Sequence, residues 1–269
     1  MGEILLLRLE GPLQSWGGRA RWDVRDTGRV PTKSGIVGLL GCALGYPMGD
    51  PRLETELDAG LRFGVRTEAP GRILEDYHTV SGFLPTAGGA YRHSGIKTGM
   101  SLDKLRSDPD VEPATIVSTR FYLEDAAFLV GLEETGRAPG VLARCADALR
   151  HPAWPLFLGR KACIPSRPVF ETLTSEYSDL EDAFNKHNWS YLGARGILRE
   201  RLRPADAAVM LEVDPSVTGP GVASRPEAVR TNSARQFGFV NLRQGRCTLP
   251  VAAASNGNSG DIPAPGGLP

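Results

Sequence analysis

Residues 4–9, ILLLRL, form a nearly continuous aliphatic run, and Gly11-Pro12 stops it. An apolar run without alternation is expected of a strand covered on both faces, so the chain opens on a buried strand. A helix follows. Thr32 or Ser34 can cap it, Ile36, Val37, Leu40 and Leu44 recur at helical spacing, and Gly45 with Pro47 ends it. Gly35, Gly38 and Gly41 recur every three residues along this helix, each costing about 1 kcal/mol of propensity relative to alanine. Such a stripe predicts that another backbone, or a ligand, comes close.

Leu61, Phe63 and Val65 alternate with Arg62, Gly64 and Arg66 as a half-exposed strand, and residues 116–123 and 126–132 predict two more. Val141, Leu142, Cys145 and Leu149 then recur at helical spacing, and residues 155–158 supply a last strand. The order is that of a ferredoxin-like (RRM-like) βαββαβ domain, an α+β fold, over residues 1–166. Between Thr79 and Thr115 lie 37 residues with five glycines and no strong periodicity, too long for an ordinary connection. A projecting hairpin or functional loop at about 80–115 is expected. Beyond Arg167 the signals weaken to a helix at 180–188 and strands at 208–213, 238–242 and 246–251, which predict a small β-rich C-terminal domain over 167–251. The segment 252–269 has a single charge and is rich in Gly, Pro, Asn and Ser, so it should be disordered.

The 31 basic and 31 acidic side chains cancel, so no global field draws the molecule onto nucleic acid or an anionic membrane. Any polyanion site must be local. Residues 19–33 hold five basic and two acidic side chains, 151–170 hold Arg160, Lys161 and Arg167 with no acid, and 225–246 hold five arginines and one glutamate. With Trp16, Trp22, Tyr77, Tyr91 and Tyr122 near several of these, stacking and guanidinium contacts to a single-stranded nucleic acid are available. Solvated faces in a chain with 26 Arg and 5 Lys would read the same way.

Cysteines at 42, 145, 163 and 247 form no C-x-x-C pair and no zinc spacing, so reduced, mostly buried thiols are expected. Glu3, Arg8 and Glu10 around a short apolar core argue against a signal peptide, and residues 36–44 fall far short of the about 20 needed to span a bilayer. A cytoplasmic protein without a membrane partner is expected. Residues 28–34 lack the second glycine of a Walker A loop, with Thr32 in its place, so nucleotide hydrolysis has no support. The Thr32-Lys33-Ser34 helix start still offers N–H groups, hydroxyls and an ammonium to a phosphate, alongside plain N-capping. Tyr77-His78 near Lys97 could act as base, acid and charge stabiliser in metal-independent RNA cleavage, although a His at a strand end is more often structural. No H-E-x-x-H, G-x-S-x-G or clustered-carboxylate signature occurs, and neither a metal nor a cofactor is expected.

Five segments carry a resemblance. Arg8-Leu-Glu-Gly-Pro-Leu-Gln-Ser-Trp-Gly17 is followed by Thr27-Gly-Arg-Val-Pro-Thr-Lys-Ser-Gly35, which runs into Gly38-Leu-Leu-Gly. Asp76-Tyr-His-Thr-Val80, Tyr122-Leu-Glu-Asp-Ala-Ala-Phe128 and Pro155-Leu-Phe-Leu-Gly-Arg160 come next. In this order they resemble the CasD-type members of the Cas-five family, in the RAMP superfamily of repeat-associated RNA-binding proteins, from the type I-E CRISPR surveillance complex, Cascade. The resemblance spans residues 4 to about 170 and is most specific in the first 45.

It implies a ferredoxin-like domain with an inserted β-hairpin thumb and a small C-terminal domain, acting in antiviral defence. Such a subunit caps the 5′ handle of the guide crRNA and links the large subunit to the backbone subunits, the thumb reaching the backbone. Target DNA is met only through the complex, and a different subunit cuts the precursor. On this reading the protein is not an enzyme. Gln14, Ser15, Trp16, Arg19, Arg29, Thr32, Lys33 and Ser34 grip the handle, with Tyr77, His78, Arg92, Lys97, Arg120, Arg160 and Lys161 as further contacts. Relatives in a sister subtype cleave the precursor with a Tyr, His and Lys set. Tyr77, His78 and Lys97 supply those residue types here, which keeps an endoribonuclease as the second reading.

Overall fold

The computed structural model describes residues 2–17, 23–85, 90–92, 101–109, 111–193, 202–231 and 234–250. The segment 252–269, expected to be disordered, lies outside them. The chain opens with β1 (Ile4–Glu10), β2 (Leu13–Gln14) and β3 (Val24–Arg25), then α1 (Lys33–Leu44). A π-helical turn, Leu53–Asp58, leads to β4 (Leu61–Gly82), and β5 (Leu84–Pro85), β6 (Tyr91–Arg92) and α2 (Leu102–Ser107) precede β7 (Ala114–Glu134). Then come α3 (Val141–Arg150), β8 (Phe170–Thr174), α4 (Leu180–Lys186), β9 (Asp206–Glu212), β10 (Val222–Thr231) and β11 (Ala234–Thr248).

Among the described residues nine strands make one sheet, ordered β10-β11-β9-β4-β7-β1-β8 with β2 and β3 also on β7, while β5 and β6 pair by themselves. The pairs are antiparallel except β3 on β7. The fold is α+β. β1, α1, β4, β7, α3 and β8 follow one another along the chain, with β8 in place of the last strand expected at 155–158, and these strands lie in the order β4-β7-β1-β8.

All seven residues of β1 are buried. Because strand side chains alternate, Leu5, Leu7 and Leu9 pack on one side against Ile36, Leu39 and Leu40 of α1 and Leu142, Cys145 and Leu149 of α3. Ile4 and Leu6 pack on the other against Leu180 and Phe184 of α4, with Trp189 and Tyr191. Cover on both faces is what the aliphatic run required.

On that second face the alternation continues into charge. Arg8 lies 3.1 Å from Glu68 and 3.2 Å from Glu171, and Arg66 lies 2.6 Å from Glu68. Arg66 donates to the carbonyls of Phe184, His187 and Asn188 at 2.6, 2.8 and 3.2 Å, and Arg8 donates to that of Asn188 at 2.5 Å. Glu68 accepts the Ser190 N–H at 2.9 Å, and Glu10 accepts those of Leu192 and Gly193 at 2.7 and 2.6 Å. Buried charges are tolerable only when paired and hydrogen-bonded. Here each charge is paired and the set pins the backbone of 184–193 onto the sheet, while Arg8 Nε and Nη1 and Glu10 Oε2 make ion-pair contacts without a hydrogen bond.

Several expected boundaries move. Residues 155–158 are not a strand: the Leu158 N–H bonds the Cys163 carbonyl at 2.7 Å in a tight loop, and β8 takes the place beside β1. The boundary expected at 166/167 therefore separates paired strands. Residues 167–251 contribute β8 at one edge, while β9 to β11 extend the other through β4, all in the same sheet. The strands expected at 238–242 and 246–251 are one, β11.

The strands expected at 116–123 and 126–132 are likewise one 21-residue strand, β7, paired with a 22-residue β4. Asp125 (φ 53°) and Gly71 (φ 61°) face each other across this ladder, both left-handed. A Cβ at Gly71 would lie 2.4 Å from the Glu124 carbonyl oxygen, so glycine is required there. This elbow divides the half embedded in the sheet from a ribbon, 72–82 with 114–124, whose other edge at 119–124 is joined by β2 and β3. Pro70 stands next to this elbow and beyond the 64–66 stretch that β9 covers, where a proline interrupts the sheet least.

Burial raises the Glu171 carboxyl, but the His187 hydrogen bond and the Arg8 guanidinium outweigh it and hold the group at about 2, against an ordinary 4.5. A carboxyl held down by folding contributes stability above its unfolded pKa, and that stability is lost as pH falls toward the folded value. Glu171→Gln should thus lower stability at pH 7 by on the order of 2–3 kcal/mol. In urea unfolding at a series of pH values, the variant should also lose less stability than the parent between pH 4.5 and about 2.

Candidate nucleic-acid interface

Bases can stack on an open sheet face, as on the sheet of an RRM, but here both faces of the central strands are covered, by α1 and α3 and by α4 with 187–193. The ribbon beyond the elbow is different. Tyr122 and Leu123 are buried at its root, one on each face, and beyond them the two faces are more exposed and chemically unlike.

Residues directly opposite in a ladder share a face. One face carries Asp76 and His78 from β4 opposite Arg120 and Ser118 from β7, and β3 places Arg25 beside Arg120 on the other side. His78 Nδ1 lies 3.4 Å from an Asp76 carboxylate oxygen, and Arg120 Nε donates to Ser118 Oγ at 3.3 Å. Tyr122, two residues from Arg120, lies under the Arg160 guanidinium, 4.8 Å from its ring centroid. Arg160 donates to the carbonyls of Phe121 at 2.8 Å, Arg25 at 2.8 Å and Asp26 at 3.2 Å, which clamps the loop after Leu158 against β7 and β3. Lys161 follows, exposed.

Among the described residues Arg25, Arg29 and Lys161 are exposed and make no ion pair or side-chain hydrogen bond. The side chains of Arg25, Arg120 and Arg160 thus line one short stretch of surface, with Lys161 beside it and the acids Asp76, Asp23 and Asp26 adjoining the row. Repulsion among neighbouring cations is relieved by a polyanion, and phosphate contacts of this kind position a strand without reading its sequence. The opposite face presents Ile73, Tyr77 and Val117, with Tyr77 72% exposed.

The expected grip at the chain start is built otherwise. Gln14 is fully buried: its amide donates to the Leu9 and Ala126 carbonyls at 3.1 and 2.7 Å and accepts the Trp16 indole N–H at 3.0 Å. Ser15 and Trp16 are buried with it, and the Trp16 ring lies where a Cβ on Gly35 would come within 3.0 Å. Thr32 caps α1, its Oγ1 accepting the Gly35 N–H at 3.1 Å, and Ser34 Oγ lies 3.4 Å from that same oxygen. Lys33 is buried, with Nζ 2.8 Å from Glu212 and 3.9 Å from Asp58. Burial pushes the Glu212 carboxyl up, and the Lys33 ammonium pulls it the other way. These residues lock α1 and β2 to the sheet, and the side chains of Gln14, Thr32 and Lys33 are committed to partners within the chain.

Arg29 is exposed as expected, and Arg120, Arg160 and Lys161 come together. Tyr77 and His78 are successive residues of β4 and point to opposite faces. Arg19 and Lys97 lie outside the described residues, and of Arg92 only the backbone, in β6, is described. Arg25 is the member of this basic row that sequence reasoning missed. Its signal is a two-residue strand that only the parallel pairing with β7 reveals.

The four cysteines are free, and burial raises all their thiols, Cys145 to about 12, which makes them inert packing groups. Among the described residues no group of three or more His, Cys, Asp or Glu could hold a metal ion, and no helix is long and apolar enough to cross a membrane.

Comparison with known proteins gives a consistent result. The model of a family described as CRISPR-associated protein (Cas_Cas5) matches residues 4–246. The CRISPR system Cascade subunit CasD of Escherichia coli (strain K12) is 34% identical over 178 residues, covering 63% of this chain and 70% of the relative. A chain from a structure described as a CRISPR RNA-guided surveillance complex superposes with a TM-score of 0.64 at 27% identity, covering 92% of this chain and 91% of that one. A second structure, described as a Cas protein, gives 0.52 at 29% identity, covering 92% and 95%.

The burial of Lys33 has a measurable consequence. Lys33→Met leaves the Glu212 carboxylate without its cation and should cost about 2–4 kcal/mol in denaturant unfolding, most of it recovered by adding Glu212→Leu. A lysine that served only to contact a ligand would leave stability unchanged.

Proposed function

The chain belongs to the CRISPR-associated Cas5 family, and from that premise we propose that it is a non-catalytic RNA-binding subunit of a type I-E Cascade surveillance complex. In this role it caps the 5′ handle of the guide crRNA and links the large subunit to the backbone subunits. Target DNA is met only through the assembled complex, and the work is cytoplasmic. The strand order β4-β7-β1-β8, with α1 and α3 packed on one side, is read as a ferredoxin-like core. The ribbon with the insertion it carries is read as the thumb.

One observation carries the RNA assignment. Arg25, Arg120, Arg160 and Lys161 gather on one face at the root of the ribbon, in a protein of no net charge whose other basic residues are often paired. The phosphodiester backbone of the handle lies along this row, Arg29 extending it toward α1. Arg160 holds the row's framework through three carbonyls, whereas Arg25, Arg120 and Lys161 have donors to spare. The opposite orientations of Tyr77 and His78 support a binding role over cleavage, because acid–base chemistry needs both at one phosphodiester.

Arg25→Ala, Arg120→Ala and Lys161→Ala combined should weaken handle binding for all sequences alike within the reconstituted complex. The slope of log affinity against log salt should become shallower by about 0.7 per lost contact. An unchanged slope would remove these residues from the interface. Repeat RNA incubated with the purified chain, with and without divalent metal, should stay intact; specific cleavage abolished by His78→Ala would establish the endoribonuclease reading instead.

A further inference from the structure

On the basic face of the ribbon, residues of opposite charge stand directly across the β4–β7 ladder at two places, and they behave differently. Arg72 and Glu124, nearest the elbow, make an ion pair of 2.7 Å, as cross-strand partners of unlike charge ordinarily do. Asp76 and Arg120, farther along, are also directly opposite and form none. Arg120 turns its Nε to Ser118 Oγ at 3.3 Å, and among the described residues the one side-chain contact of Asp76 is His78 Nδ1 at 3.4 Å. The Asp76 side chain stays 38% exposed.

The other acids beside the row are spoken for. Asp23 Oδ1 accepts the Val24 N–H at 3.1 Å, and Asp26 Oδ1 accepts the Thr27 N–H at 2.7 Å, which commits both to the loop that carries β3. Charge is therefore graded across three neighbouring strands: Arg25 on β3, Arg120 on β7, then Asp76 with His78 on β4. Each strand lies about 4.8 Å from the next, so the step from cation to carboxylate is shorter than one nucleotide is wide. A surface that only bound phosphates would have no use for an unpaired carboxylate at its edge.

We propose that Asp76 is a specificity-determining residue of this face, reading the Watson–Crick edge of a guanine in the single strand whose phosphates Arg25 and Arg120 hold. The inference rests on the reading of the face as an RNA-binding surface. A carboxylate repels phosphate, so a strand laid along the cations turns its bases, and not its backbone, toward β4. Having acceptors only, the carboxylate selects among bases by the donors they present. Guanine offers N1–H and the N2 amine side by side, and the two carboxylate oxygens can accept both in one charge-assisted pair. Adenine, cytosine and uracil each place an acceptor beside their donor, which the carboxylate repels. The cations thus supply affinity without sequence, and Asp76 adds the choice of base.

Asp76→Ala and Asp76→Asn alter an exposed position of the ribbon, and both variants should melt with the parent. Affinity is then measured in the reconstituted complex for guide RNAs carrying each base in turn at each handle position, at more than one salt concentration. With the parent, one position should favour guanine by roughly tenfold or more over adenine and uracil, and inosine, which lacks the N2 amine, should fall between. Asp76→Ala should shrink that preference to within about threefold while the salt slope stays as in the parent. Asp76→Asn, with one donor and one acceptor, should move the preference toward adenine and cytosine, whose edges match it. A parent without a guanine preference, or one that Asp76→Ala leaves unchanged, overturns the proposal. So does uniform tightening of every RNA by Asp76→Ala, which would make the carboxylate a source of repulsion only. If instead the combined Arg25, Arg120 and Lys161 variant keeps the parent's salt slope, the RNA surface itself is misplaced and the base reading falls with it.

Discussion

The structure depends on a set of charges buried in its sheet. Arg8 and Glu10 from β1 and Arg66 and Glu68 from β4 occupy positions that strand alternation assigns to an apolar face, and they hold 184–193 there by ion pairs and by bonds to its backbone. Removing any one member would strand a charge in the interior, so the set holds together as a unit. Its consequence reaches beyond stability. The face that a related sheet could offer to RNA is closed, so the proposed recognition falls to what projects from the sheet.

What projects is set by a second local constraint. The paired left-handed residues Gly71 and Asp125 interrupt the β4–β7 ladder where burial ends, and β3 joins the ribbon just beyond. That junction brings Arg25, from a loop near the chain start, beside Arg120, from the middle of the chain, and the Arg160 clamp fixes both from a third segment. The cation row is therefore a product of tertiary pairing. One face of the ribbon is left basic and the other carries Ile73, Tyr77 and Val117.

Much of the fold was legible because it rests on short-range pattern. The run at 4–9 demanded cover on both faces, and helical spacing with Thr32 and Gly45 as caps located α1. The long connection after Thr79 stood out by its length and its lack of periodicity, although it did not reveal that the strands flanking it continue those of the sheet. Edge strand β8 and the true extent of β9 to β11 were obscure, since half-exposed strands mix polar and apolar residues without clean alternation. The site was less legible. Gln14, Trp16 and Lys33 look like ligand contacts in a linear motif, yet each is consumed by a partner remote in sequence: Ala126, Gly35 and Glu212. Polarity in a sequence does not distinguish a group that binds a ligand from one that satisfies the interior.

The central claim is that guide RNA follows the cation row on one face of the ribbon and avoids the covered faces of the sheet. Protein–RNA photocrosslinking of the assembled complex, read by mass spectrometry, tests it most directly. Crosslinks should concentrate on peptides containing Arg25, Arg29, His78, Arg120 and Lys161. Crosslinks concentrated on α4 and 184–193, or on the outer surface of α1, would contradict the account.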